Sequence, residues 1–122
     1  MNERLSLAQI GMLVLYALGM VAGQFLFKLA AGRDIAGTSL LERFFALLQN
    51  GYFLVGVALY FALTVLWIWI LTFTPLSRAY PFVALAFAIT PLAAAFVFAE
   101  PLTTRLLMGI GAVLFGLVLI AG

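Results

Sequence analysis

Four long apolar runs, separated by short polar segments, divide the chain. A helix needs about 20 apolar residues to cross a hydrocarbon core of roughly 30 Å. The four runs meet or approach this length, and they occupy residues 5–31, 51–73, 79–99 and 106–121. Because the connections are short, consecutive spans run antiparallel as neighbours. The pattern therefore predicts an all-α integral membrane protein, a four-transmembrane-helix bundle that forms a single domain over residues 1–122.

The longest polar connection contains a short amphipathic segment at residues 39–50. Ser39 and Glu42 match the S-x-x-E capping box that begins many helices. The apolar residues that follow share one helical face, and they are Leu40, Leu41, Phe44, Phe45 and Leu48. This arrangement predicts a short helix that lies in the membrane interface between the first two spans.

Composition supports a membrane protein and excludes several kinds of site. Hydrophobic residues make up 67% of the chain and charged residues 8%, whereas soluble domains carry about 25% charged residues. The absence of cysteine and histidine excludes disulfides, Cys/His zinc sites and histidine relays. The four acids lie outside the spans, so we expect no metal site, no cofactor and no enzyme. The six basic residues form no patch for nucleic acid.

The first span carries small and polar residues on one face. Gly19 and Gly23 form a G-x-x-x-G pattern, and Met20, Gln24 and Lys28 follow one another at spacings of four. This face is expected to meet protein or water rather than lipid. A helix that enters near residue 6 rises about 33 Å by Lys28, which places the ammonium at the far rim and Gln24 about one turn deeper. Lys28 is either an interfacial anchor or part of a polar mouth.

The third span carries a stripe of small residues and prolines. They recur at spacings of four and three, and they are Ser77, Pro81, Ala84, Ala88, Pro91 and Ala95. Pro91 has no N–H for the carbonyl of Phe87, so it is expected to bend the helix. Such a bend is either a hinge about which a transporter rocks or a static kink.

In the fourth span, Gly109, Ala112 and Gly116 lie on one stripe. In membranes, small residues allow helices to approach closely. The stripe therefore serves either packing inside the monomer or a dimer interface.

The basic residues favour one membrane orientation only weakly. Two of them lie on the N-terminal side, Arg4 and Arg78, and four on the other side, Lys28, Arg33, Arg43 and Arg105. This bias mildly favours cytoplasmic first and third loops, but it is too small to exclude insertion in both orientations.

Several stretches resemble one transporter superfamily. They are "AGQFLFKLA" in the first span, "TPLSRAYPF" at the third, "FAEPLT" after it, and the spacing of Gly109 and Gly116. Together they are similar to the small four-helix drug/metabolite transporters, which include small multidrug resistance and EamA-like proteins. The "GQ…K" and "AYP" stretches most resemble aminoarabinose-phosphoundecaprenol flippase subunits. This resemblance implies a multi-pass protein of the bacterial inner membrane that works as a dimer, often antiparallel.

The resemblance also implies roles for individual residues. It assigns substrate contacts to Gln24, Lys28, Arg78, Tyr80 and Glu100. It marks Pro81, at the start of the third span, as a hinge or packing residue like Pro91, and it places Gly109 and Gly116 at the dimer interface. The related drug exporters carry a membrane-embedded glutamate three residues before the position of Gly23. Met20 stands there in this chain, which argues against proton-coupled export of cations.

We therefore expect a flippase subunit that moves a lipid-linked sugar phosphate of the undecaprenyl type. It would act in the bilayer as a homodimer, or as a heterodimer with a similar small subunit. Lys28 and Arg78 are expected to hold the phosphate, and Gln24 and Tyr80 to contact polar groups. Two alternatives stay open: an exporter of a small drug or metabolite, and a non-transporting partner of a membrane glycosyltransferase or carrier.

Overall fold

The computed structural model describes residues 5–32 and 39–121, so Arg4 and Arg33 lie outside it. Its helices are α1 (Leu7–Gly32), α2 (Leu40–Leu48), α3 (Gly51–Leu71), α4 (Leu76–Ala79), α5 (Ala84–Val97) and α6 (Thr104–Ala121), with a 3₁₀ turn at Tyr80–Val83. Four helical segments are long and apolar enough to cross a membrane: Leu7–Gly32, Gly51–Leu71, Leu76–Val97 and Thr104–Ala121. The predicted all-α class is confirmed, including the short helix between the first two spans.

Local sequence signals explain where several helices begin. The Ser39 hydroxyl accepts the amide of Glu42 at 3.2 Å, which is one half of the predicted capping box of α2. The third span begins at Leu76, three residues before the predicted position 79. Pro75 stands at its N-cap with extended backbone. The last turn before residue 79 is therefore already helical.

The helices pack side by side in the order α3, α1, α5, α6. Glycines of α1 and α3 allow the closest approach. A Cβ atom on Gly19 would lie 2.6 Å from Cδ2 of Leu63, and one on Gly56 would lie 2.7 Å from Cε1 of Phe27. A Cβ on Gly23 would overlap the ring of Tyr60. The G-x-x-x-G pattern of the first span is therefore a packing contact within the monomer.

Two amide side chains connect the ends of α1 to its neighbours. At the start, the amide of Ser6 donates to Oε1 of Gln9 at 2.7 Å, and the amide of Gln9 donates to the Ser6 hydroxyl at 3.1 Å. Nε2 of Gln9 donates to Phe73 O and to Oγ1 of the buried Thr74, each at 3.0 Å. At the other end, Asn50 caps α3 and donates to Ala30 O at 3.2 Å. These bonds fix the position of α1 at both rims.

The third span changes helix type along its length. The 3₁₀ turn at Tyr80–Val83 contains Pro81 and separates α4 from α5. The helix α5 then continues through Pro91 to Val97. The change of helix type thus lies eight to eleven residues before Pro91, and the bend expected at Pro91 stays a prediction.

Candidate functional site

An ion pair lies at the rim where α1 ends. Nζ of Lys28 is 3.5 Å from Oε2 of Glu100, and the two side chains are 57% and 43% exposed. Ala99 adopts a left-handed backbone conformation, with a φ of 54°. This residue turns the chain sharply after α5, so that the next residue faces the end of α1. The structure thus brings together two of the five predicted substrate contacts, Lys28 and Glu100.

A hydrogen-bonded pair joins α1 to α3 one turn deeper. Nε2 of Gln24 donates to the hydroxyl of Tyr60 at 2.7 Å, and this hydroxyl donates to Met20 O at 3.1 Å. The ring of Tyr60 stacks on Phe27, with centroids 5.3 Å apart, and lies over Gly23. The polar side chain that the sequence places in the first span therefore has a hydrogen-bond partner on α3, which lowers the cost of an amide among apolar helices.

A cavity of about 350 Å³ lies beside Gln24, between α1 and the third span. Its lining consists of Met20, Gln24, Val83, Ala86, Phe87, Thr90 and Pro91. This lining is mostly apolar and carries no ionisable side chain. Met20 thus stands on the cavity wall at the position where the resemblance to drug exporters would place a glutamate.

A second cavity adjoins the ion pair at the rim. It has a volume of about 330 Å³ and is lined by Lys28, Leu29, Gly32, Tyr52 and Phe98. The ring of Phe98 also contacts the edge of Phe25, with centroids 5.3 Å apart, and this contact holds the end of α5 against α1. The ammonium of Lys28 therefore borders a space as well as a carboxylate.

Arg78 and Tyr80 lie at the opposite end of the bundle, because the third span runs parallel to α1 and these residues stand at its start, whereas Lys28 stands near the end of α1. Nη1 of Arg78 donates to Ile120 O at 3.0 Å, near the end of α6. The exposed ring of Tyr80 meets Trp67 edge-on, with centroids 6.3 Å apart. Within one chain, these two predicted contacts do not meet Gln24 or Lys28.

The small residues of α6 face open space, unlike those of α1. A Cβ atom on Gly109 or Gly116 would have no heavy atom within 4 Å. Ala112 and Gly116 line a groove of about 510 Å³ between the third span and α6, together with Pro81 and Phe87. This stripe is therefore not a close packing contact within the monomer.

Two residues of this arrangement were not found from the sequence. No sequence pattern marks Tyr60, because it is one aromatic residue inside a continuous apolar run. A sequence pattern does mark Gln9, because Ser6 and Gln9 form an S-x-x-Q capping box at the start of the first apolar run.

No protein-family model matches the chain, and no solved structure is significantly similar to it. A curated relative is the probable 4-amino-4-deoxy-L-arabinose-phosphoundecaprenol flippase subunit ArnE of Enterobacter sp. (strain 638), which is 31% identical over 90 residues. The match covers 74% of this chain and 79% of the relative. With its four helices of membrane-spanning length, the chain belongs to the family of small multi-pass membrane transporter subunits that includes ArnE.

Proposed function

We propose that the chain is a flippase subunit that moves a lipid-linked sugar phosphate of the undecaprenyl type across the bacterial inner membrane. The observation that carries the proposal is the polar end of α1, where Lys28 stands at the rim and Gln24 lies one turn deeper on a cavity of about 350 Å³. The ammonium of Lys28 suits the phosphate of such a lipid, and the amide of Gln24 suits the polar groups of its sugar. The apolar surroundings suit its polyprenyl tail.

The distribution of acids favours an anionic substrate over a cationic one. Among the described residues, the acids are Glu42 and Glu100, and both lie outside the four helices of membrane-spanning length. A cation inside the membrane would need a compensating acid, because an isolated charge there is costly. Met20 supplies none at the cavity. This observation favours the lipid phosphate over the cationic drugs of the multidrug alternative.

Glu100 is not an obstacle to phosphate binding at Lys28. Exposed ion pairs contribute about 0–1 kcal/mol, because solvent screens them and the side chains lose freedom. Both partners of this pair are close to half exposed. A phosphate group can therefore replace the carboxylate at Lys28 at small cost. Glu100 would then be free to accept a hydrogen bond from the sugar.

An antiparallel dimer would give both membrane faces the same phosphate-binding groups. Lys28 and Arg78 lie at opposite ends of one chain, so inversion of a second copy brings the Arg78 of one protomer to the end that carries Lys28 in the other. Arginine suits bidentate phosphate contact, and lysine acts as a point charge. Inverted repeats of this kind support alternating access. The open stripe of Gly109, Ala112 and Gly116 supplies a surface for close helix contact between copies.

Native mass spectrometry of protein extracted gently from its own membrane tests the proposal. We expect a dimer, with itself or with a similar small subunit, that retains a polyprenyl phosphate or its glycosylated form. A matched preparation of the Lys28→Ala/Arg78→Ala protein should lose this lipid and keep its phospholipid. Wild-type protein that carries only bulk phospholipid would contradict the proposal.

A further inference from the structure

The hydroxyl of Tyr60 fixes the orientation of the Gln24 amide. A tyrosine hydroxyl has one proton, and here it is donated to Met20 O at 3.1 Å. Towards Gln24 the hydroxyl oxygen can therefore only accept, and Nε2 of Gln24 lies 2.7 Å from it. The carbonyl oxygen Oε1 of Gln24 has no hydrogen bond to any residue in the described part of the chain. This carbonyl acceptor and the second N–H of the Gln24 amide are thus left available on the wall of the cavity.

The third span contributes further hydrogen-bonding groups to the same cavity. Pro91 has no N–H, so the carbonyl of Phe87 lacks its usual helical donor. The hydroxyl of Thr90 forms no hydrogen bond with another described residue. Phe87, Thr90 and Pro91 all line the cavity with Gln24. The cavity therefore offers both acceptors and donors, because the second N–H of the Gln24 amide and the Thr90 hydroxyl can each donate.

The charge of the cavity restricts what it can bind. Its lining has no acid to balance an ammonium and no base to balance a phosphate or carboxylate. A charged group would be desolvated there without a partner, which is costly. A neutral hydroxyl group can donate to Gln24 Oε1, and it brings no charge. Hydroxyl groups therefore match the cavity best.

We propose that the cavity between α1 and α5 is a hydroxyl-binding site, and that Tyr60 is a positioning residue that holds the Gln24 carbonyl towards the ligand. This inference rests on the proposed function and deepens it. The ligand hydroxyls are those of the sugar, and the phosphate lies one helical turn away at Lys28. The site thus distinguishes a glycosylated lipid phosphate from the bare lipid phosphate.

The test compares two lipids on the full-length protein in phosphatidylcholine nanodiscs. The probes are undecaprenyl phosphate and undecaprenyl phosphate that carries a pentose. We expect wild-type protein to prefer the glycosylated lipid about tenfold or more, since one or two neutral hydrogen bonds are gained. Tyr60→Phe should reduce this preference below about threefold and leave the affinity for the bare lipid unchanged, because the ring still packs on Gly23.

Thr64→Val is the matched control. Thr64 lies one turn from Tyr60 on α3, and its hydroxyl donates only to Tyr60 O, at 2.8 Å. This variant should keep the wild-type preference. A loss of preference equal to that of Tyr60→Phe would overturn the specific role of Tyr60, since any hydroxyl of α3 would then suffice.

A spectroscopic measurement on wild-type protein does not depend on how the variants fold. The side-chain amide ¹⁵N resonance of Gln24 should shift with the glycosylated lipid and stay in place with the bare lipid. Equal affinities for the two lipids and an unmoved resonance would overturn the hydroxyl site while the phosphate-binding proposal stands. Failure of both lipids to bind would overturn the proposed function and the inference that rests on it.

Discussion

At the scale of single residues, the site depends on the missing side chain of Gly23. The ring of Tyr60 occupies the space that a Cβ atom on Gly23 would take. This close approach brings the Tyr60 hydroxyl within reach of Gln24 and of Met20 O. The absence of a side chain at Gly23 therefore permits both the packing of the Tyr60 ring on α1 and the hydrogen bonds of its hydroxyl.

We predict that Gly23→Ala lowers the free energy of unfolding by about 1–3 kcal/mol, because the added methyl group displaces a packed ring. Chemical unfolding in detergent micelles measures this change. Gly11→Ala is the control, since a Cβ there would have no heavy atom within 4 Å. It should leave stability unchanged or raise it by up to about 1 kcal/mol through helix propensity. An equal loss of unfolding free energy in the Gly23→Ala and Gly11→Ala proteins would contradict a specific packing role for Gly23.

A second residue-scale prediction concerns Gln9, which closes the capping box and donates to the 72–75 loop. Gln9→Met keeps the length of the side chain and removes these bonds. It should cost about 1–2 kcal/mol of unfolding free energy. Gln49→Met makes the same change at an exposed site and should stay within about 0.5 kcal/mol. Equal stability of the two variants would contradict the role of Gln9 in joining the start of α1 to the 72–75 loop.

The sequence predicted part of this polar arrangement. Gln24 and Lys28 stand out because polar residues are rare in apolar runs and because their spacing of four places them on one face. Tyr60 could not be found in this way, because it lies 36 residues from its partner and only tertiary packing brings the two together. The role of Gln9 can be predicted from the sequence, because its capping-box pattern with Ser6 is local.

At the scale of elements, the helices follow from long apolar runs and from local caps. The amphipathic pattern after Ser39 predicted α2, and the serine caps that helix as expected. The third span was harder to delimit, because Pro75 starts a helix inside a segment that resembles a turn. The 3₁₀ turn around Pro81 has no periodic signature in the sequence. Its position depends on how the third span packs against its neighbours.

The interfacial position of α2 is open to a depth measurement. The chain has no cysteine, so Phe44→Cys and Phe61→Cys each provide a single site for a nitroxide label. Phe44 is exposed on α2, and Phe61 is exposed near the middle of α3. Accessibility to oxygen and to an aqueous nickel complex should place the first label about 5–10 Å into the interface and the second much deeper. A Phe44 label as accessible to nickel as a soluble loop would contradict this position.

At the scale of the whole molecule, the side-by-side packing leaves α6 at one edge of the bundle, where it packs on the third span. In the sequence, the glycines of α1 and those of α6 look alike, so the pattern alone left both interpretations of the α6 stripe open. The structure distinguishes the two sets of glycines, because Leu63 and Tyr60 fill the space beside the α1 glycines while the space beside Gly109 and Gly116 is open. The dimer interface at the α6 stripe stays a prediction.

We predict that the paired change Gly109→Leu and Gly116→Leu reduces the dimer population about tenfold or more, because bulky side chains prevent close helix approach. Gly111→Leu is the control on the same helix: Gly111 is equally open but lies on another face. Single-molecule photobleaching in liposomes at low protein density measures the dimer fraction. A monomeric wild-type protein, or equal loss in the control, would contradict the dimer contact.

The most direct test of the central claim is a transbilayer assay. Protein purified with any subunit that it retains is reconstituted into liposomes with fluorescent undecaprenyl phosphate that carries a pentose, and dithionite then bleaches the label on the outer leaflet. The account predicts that wild-type protein exposes the inner-leaflet label as well, that Lys28→Ala/Arg78→Ala abolishes this exposure, and that Arg105→Ala keeps it. Bleaching confined to the outer leaflet, as in protein-free liposomes, would contradict the account.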